Sequence, residues 1–427
     1  MASPSPFERA KLRNGLRVVL APDRSAPVVA VAVYYDVGIR SEPEGRTGFA
    51  HLFEHLMFQG SASLGKMEHA SLVSASGGVL NGSTRLDYTN YYEVLPSNAL
   101  ERALFLEADR MRSPAVNEEN LANQIAVVKE EIRVNVLNEP YGGFPWVTLA
   151  PVLYDTYANA HDGYGSFADL ESATVEDARD FFDAYYAPGN AVLALSGDFE
   201  TEHALELVHR HFDDVPRRTV PPRPDFDEPA PTDERRAEQH DPQAPAPAVA
   251  LGWRVPDPAD LETYVPYVVL CSALATGDAS RLRRRLVQED RLATDVGCHL
   301  GLMEDAFDVR NPVALVLEAH HRADVPTDHV VAAVDEELDR VATDGVPADE
   351  LERVKARLLA GLLQGADFPM ARTLAMASYE QQRGRAELVH EMPELVGRVT
   401  AEQVTRAAST LGPDARARLD LVPGGAR

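Results

Sequence analysis

The amino-acid sequence predicts an α+β protein of two homologous domains, each a mainly antiparallel sheet packed with helices. The chain has 427 residues, more than one hydrophobic core usually organises. Its apolar fraction of 45% and charged fraction of 25% are those of a folded chain. The order strand, helix, strand pair, long helices also occurs twice, on either side of a Pro-rich charged tract. That repetition is the pattern of a diverged internal duplication.

In the first half, KLRNGLRVVLAP (11–22) and APVVAVAVYYDVG (26–38) are rich in β-branched residues and bounded by turn formers, so they read as strands. GFAHLFEHLMFQGS (48–61) places Phe49, Leu52, Phe53 and Leu56 at i, i+3, i+4 and i+7, the buried stripe of a helix. GGVLNGSTRLDYTNYYEVLP (77–96) reads as a strand pair with a turn signal at Asn81-Gly82. Residues 97–137 read as helical, with Leu100, Leu104, Ala108 and Met111 on one stripe and Leu121, Ile125, Val128 and Ile132 on another. A further helix, VEDARDFFDAYY, precedes the strand NAVLALSGDF. These elements place a first domain at 1–214.

Residues 215–245 are rich in proline and charge and lack apolar periodicity, which is linker composition. The pattern restarts over 246–427 with the strand AVALGW, an apolar helix around YVPYVVLCSALA, the basic stretch SRLRRRLVQE and the strand PVALVLEA. A late helix, PADELERVKARLLAGLL, echoes NEENLANQIAVVKEEI of the first half.

Lysine and arginine number 41 against 67 aspartates and glutamates, a net charge of −26. Such a surface argues against nucleic acid and anionic membrane as partners. The N-terminal stretch lacks the basic and apolar regions of a signal peptide. No run approaches the roughly eighteen apolar residues of a membrane span, so a cytoplasmic location is expected. Cys271 and Cys298 are the only cysteines, too few for a disulfide framework or a cysteine-rich zinc site. They are expected to be reduced core residues.

His51, Glu54 and His55 fall on the side of their helix opposite the apolar stripe. Histidines four apart on a helix stand one above the other, with Cβ atoms roughly 5–6 Å apart, near enough to grip one ion. The same geometry serves a plain solvent face. A catalytic zinc needs three protein ligands and an open position for water. The helix NQIAVVKEEIRVN offers two candidates for the third, Glu130 and Glu131. Glu131 lies beside the apolar stripe, where a carboxylate needs a partner.

HLFEH resembles the inverted zinc motif His-x-x-Glu-His of the pitrilysin and insulinase (M16) family of metallopeptidases. The likeness extends through GGVLNGSTRLDYTNYYEVLP, VVKEEIRVNVLNEPYG and GSFADLESATVEDARDFFDAYYAPGNAVLALSGDF, and is fainter across 245–415. The length resembles that of the short, two-domain members such as the mitochondrial processing peptidase subunits. The resemblance implies one zinc ion per chain, held by His51, His55 and the Glu131 of a V-V-K-x-E context, with Glu54 as general base. It implies two chains forming a four-domain clamshell, each chain one half, that encloses peptides or flexible segments. It also implies that a peptide substrate adds as a strand near Asn81, Gly82 and Ser83.

The second half departs from the family in one place. Within SRLRRRLVQEDRLATDVG, Val287 and Thr294 stand where self-sufficient members carry an arginine and a tyrosine that hold the substrate backbone. Neither side chain replaces a guanidinium or a phenol. A homologous non-catalytic subunit supplying that pair in a heterodimer is the expectation; a self-sufficient homodimeric oligopeptidase and a non-catalytic scaffold are the alternatives. Arg372 and Tyr379 share the family's separation only by accident. His161 is expected to be structural, and His69 and His299 to be ordinary residues.

Overall fold

The computed structural model describes residues 7–424. Residues 1–6, the start of the stretch read for signal-peptide features, lie outside the described residues. A six-stranded sheet is built from β1 (Glu8–Lys11), β2 (Arg17–Pro22), β3 (Val28–Tyr35), β4 (Val79–Thr84), β5 (Thr89–Pro96) and β6 (Ala191–Gly197), in the order β1-β2-β6-β3-β5-β4. A five-stranded sheet uses β7 (Arg235–Asp241), β8 (Ala248–Val255), β9 (Ala293–Leu300), β10 (Val313–His321) and β11 (Arg416–Pro423), in the order β7-β11-β8-β10-β9. Without β1 the two orders coincide strand for strand. Each sheet is antiparallel except at one equivalent pair, β2–β6 and β7–β11. The duplicated pattern of the sequence is therefore a duplicated topology, α+β in each half.

The main helices of the first half are α1 (Phe49–Leu56), α2 (Glu68–Ala75), α3 (Leu100–Arg112) and α4 (Glu118–Ile132). Their apolar stripes are the expected ones: Leu100, Leu104, Ala108 and Met111 are buried on α3, and Leu121, Val128 and Ile132 on α4. Pro114, between the two helices, sits in a short bridge with Ser61, so the region 97–137 is two rods rather than one.

The chain forms two compact units. Of the described residues, one comprises 7–129, Gly163–Pro224 and Leu363–Glu391; the other comprises Glu130–Asp162, Asp225–Leu362 and 392–424. In the first unit the helix Pro369–Arg383 lies on the six-stranded sheet. Its Ala377 packs with Ala32, Tyr34, Tyr88 and Ala194, and its Met376 with Val19, Ala21 and Val192. The alternation of β3 places Ala30, Ala32 and Tyr34 on one face, and the small residues there let a helix approach. In the second unit α5 (Ala150–Leu153) and its flanks do the same. Leu149, Leu153 and Tyr154 pack against Ala248, Ala250, Val316 and Leu419. A Cβ on Gly252 would meet Leu149 Cδ2 at 3.1 Å, so a glycine on β8 admits that helix.

Two local expectations are corrected. Asn81-Gly82 is not a turn; it lies inside β4, opposite Tyr92 and Tyr91 of β5. The turn is Arg85–Tyr88, closed by the Arg85 N–H donating to Tyr88 O at 2.8 Å. Gly82 serves packing instead, since a Cβ there would meet Tyr91 and Phe58 at 3.1 and 3.2 Å. Second, the tract 215–245 carries β7 at the sheet edge. Its residues alternate between half-buried and exposed, so an edge strand with a polar face gives no apolar period to read.

Among the described residues no helix is long and apolar enough to cross a membrane. Cys271 and Cys298 are both free thiols.

Candidate metal centre

Helix α1 is fixed from both sides. Phe49, Leu52, Phe53 and Leu56 are buried, each contributing about 1.5–3 kcal/mol of burial. Phe53 packs against Phe181 of the helix Val175–Tyr185 and against Tyr186, with ring centroids 5.7 and 4.5 Å away. The N-terminus begins at Gly48, in left-handed conformation with φ +83°. A Cβ there would meet Tyr164 O at 2.5 Å, so both backbone and space require glycine. The buried Glu42 carboxylate caps the helix, accepting from the Gly48 N–H at 2.8 Å and the Ala50 N–H at 2.7 Å. Two otherwise orphaned donors are satisfied, and a negative charge sits at the positive end of the helix.

The polar side of α1 presents the motif. His51 and His55 turn their Nε2 atoms toward each other at 3.2 Å, with rings nearly perpendicular at 87°. The Tyr164 ring stands edge-on to His51, 5.2 Å between centroids. Helix α4 is one continuous rod, and its last turn carries Glu131. His51, His55 and Glu131 each offer a ligand atom, all within 4.8 Å of one another and all half-buried. Tetrahedral zinc bound to two nitrogens at about 2.0–2.1 Å requires them about 3.3 Å apart. The histidine separation and the two-imidazole, one-carboxylate donor set fit that ion. Glu130 is not part of this group; it points outward, 65% exposed, and pairs with Arg133 at 3.0 Å.

Glu54 stands between the two histidines in sequence and reaches toward β4. Its Oε2 accepts a 2.7 Å hydrogen bond from the Thr84 hydroxyl. Thr84 is buried at the end of β4, paired with Thr89, so a strand end orients the carboxylate. Behind it the Tyr91 and Tyr186 hydroxyls lie 3.3 Å apart. Burial, first of all, pushes both phenols up, and the Glu54 charge adds to this. They are therefore neutral.

Asn81, Gly82 and Ser83 occupy β4, the last strand of its sheet, with β5 on one side only. Asn81 is exposed, and the Ser83 hydroxyl donates to Asn90 Oδ1 at 2.8 Å. In the other unit, Val287 lies on the helical turn Arg283–Glu289 and Thr294 on β9, its hydroxyl donating to His320 O at 3.1 Å. Arg372 is committed to Asp23, 2.7 Å away. His161 stacks on Tyr157 and bonds its carbonyl through Nδ1 at 2.8 Å, a local structural pairing.

The family model described as "Insulinase (Peptidase family M16)" matches residues 17–141, and the one described as "Peptidase M16 inactive domain" matches 172–358. The zinc protease PqqE of Helicobacter pylori is 31% identical over 309 residues, which cover 70% of this chain and 67% of that protein. The chain belongs to the M16 peptidase family. An uncharacterized zinc protease of Mycobacterium leprae is 28% identical over 411 residues, covering 94% and 88% of the two chains. The crystal structure of a protease from Helicobacter pylori aligns with a TM-score of 0.91 at 25% identity, over 98% of this chain and 99% of that one. The fold is thus the two-domain M16 fold. His51, Glu54, His55 and Glu131 all fall within the segment matched by the insulinase model.

Three residues around this candidate centre have no separate signal in the sequence. Glu42 acts from six and eight residues along the chain, while Thr84 and Tyr164 reach α1 from distant segments.

Proposed function

We propose that this M16-family chain is the catalytic subunit of a zinc endopeptidase acting on peptides or flexible polypeptide segments. The observation that carries the reading is the convergence of His51, His55 and Glu131 on one point, with the Glu54 carboxylate one helical turn from His51 and anchored by Thr84. His51, His55 and Glu131 would hold a zinc ion, which would supply a Lewis acid for the scissile carbonyl and for the attacking water. Glu54 accepts that water's proton and returns it to the leaving amine. Thr84 keeps the carboxylate oxygen aimed. The unpaired side of β4 at Asn81, Gly82 and Ser83 takes the substrate as an added strand, with affinity from the main chain and little sequence selectivity.

Val287 and Thr294 leave the second unit without cationic or phenolic groups for the substrate backbone. A homologous non-catalytic subunit supplies them, and the active species is a heterodimer. The test is hydrolysis of a library of unstructured peptides by the zinc-loaded chain, read by mass spectrometry beside Glu54→Gln. The chain with its homologous subunit should cleave, and Glu54→Gln should hold zinc but not turn over. Cleavage by Glu54→Gln would overturn the base assignment. Full activity of the chain alone would overturn the heterodimer.

A further inference from the structure

On the first unit, at residues other than those of the candidate centre, three metal-ligating side chains meet inside the protein. His69 comes from α2, Glu93 from β5 and Glu107 from α3, and each offers a ligand atom within 4.8 Å of the others. Their exposures are 5%, 1% and 1%. His69 Nε2 lies 3.5 Å from Glu93 Oε2. His69 Nε2, both oxygens of Glu93 and Glu107 Oε2 have no hydrogen-bond partner.

Glu107 uses its other oxygen to accept from Arg110 Nη2. Arg110, 2% exposed, lies over the Tyr91 ring at 4.2 Å and the Phe58 ring at 5.4 Å. The cluster therefore holds two carboxylates and one guanidinium, leaving one negative charge without a counter-charge. A buried carboxylate in that position is strongly destabilising. It takes either a proton or a cation. Burial, reinforced by the Glu107 charge and opposed by Arg110, holds the Glu93 carboxyl well above the usual carboxylate range. Burial and the Arg110 charge push the His69 imidazole far down, so it presents a neutral lone pair.

A proton on Glu93 satisfies at most one pair of these atoms. A cation takes one ligand atom from each of the three residues at once, and Glu93 stands on the middle strand of three, opposite Val31 and Leu80. We infer that His69, Glu93 and Glu107 form a second, structural site for a divalent cation. One nitrogen and up to three carboxylate oxygens suit a first-row ion such as zinc or manganese. The ion ties α2 and α3 to β5, behind the edge strand β4.

The test is metal content of the full chain expressed and purified with zinc or manganese chloride. Wild type should hold two ions per chain, and His51→Ala/His55→Ala should retain one. Glu93→Gln should lose one, and chelation should lower the melting temperature of His51→Ala/His55→Ala. Because Glu93→Gln or the double variant could misfold, anomalous scattering from zinc-soaked wild-type crystals gives an independent reading. A peak among His69, Glu93 and Glu107 supports the site. A chain with one ion, none in His51→Ala/His55→Ala and no such peak would overturn it, and Glu93 would then hold a proton. The result does not depend on peptidase activity.

Discussion

Thr84 Oγ1 donates a 2.7 Å hydrogen bond to Glu54 Oε2, joining the end of an edge strand to the polar face of the helix that carries both histidines. A hydrogen bond to a charged group contributes about 1.5–3 kcal/mol. If Glu54 is the base, Thr84→Val should lower kcat by roughly 10–100-fold with KM and zinc content little changed. The comparison is steady-state kinetics beside metal analysis. An unchanged kcat would mean that Glu54 is oriented by something else.

Glu42 caps α1 through two buried N–H groups. Glu42→Ala should destabilise the protein by about 2 kcal/mol, the upper end for losing a helix cap, measured by urea unfolding. Zinc affinity in a competition titration should fall with it, because the cap holds the turn before His51. Full affinity at reduced stability would separate the cap from the centre.

Asp23 is held down to about 2 by the Ser25 amide and hydroxyl and by Arg372. The folded value lies below the unfolded one near 3.9. Its stabilisation is therefore complete above about pH 4 and lost as pH falls toward 2. The pair is partly solvent-exposed, so its worth is at most about 1 kcal/mol. Asp23→Asn should unfold with a shallower dependence on pH between about 4 and 2. An acid limb identical to wild type would refute the assignment.

Val287→Arg/Thr294→Tyr tests the missing pair directly. If the active species needs those groups on the facing domain, the double variant alone should cleave unstructured peptides at least about tenfold faster than wild type alone, a gain of about 1.4 kcal/mol. No gain, with both proteins folded and zinc-loaded, would count against a heterodimer built on that pair.

The sequence by itself determined the fold class, the duplication and the metal motif, because these are written in local periods. The i, i+3, i+4 stripe of α1 fixes which side of the helix is polar, and so places His51, Glu54 and His55 together without any tertiary information. The restart after the Pro-rich tract reflects a strand order that the second sheet repeats. Where the sequence misled, a local signal had a non-local cause. Asn81-Gly82 has turn chemistry but lies in β4, where Gly82 makes room for Tyr91 and Phe58. The polar β7 hides in linker composition because only half of an edge strand is covered.

Tertiary structure decided the rest. Spacing left Glu130 and Glu131 both open; the fold turns Glu131 to the histidines and Glu130 outward. It also brings residues 363–391 onto the first sheet and 130–162 into the second unit, an exchange with no local mark. His69 reads as an ordinary histidine until β5 and α3 set Glu93 and Glu107 against it. Periodicity reports which face of an element is buried. What that face meets depends on chain segments far away in sequence, and only packing brings them there.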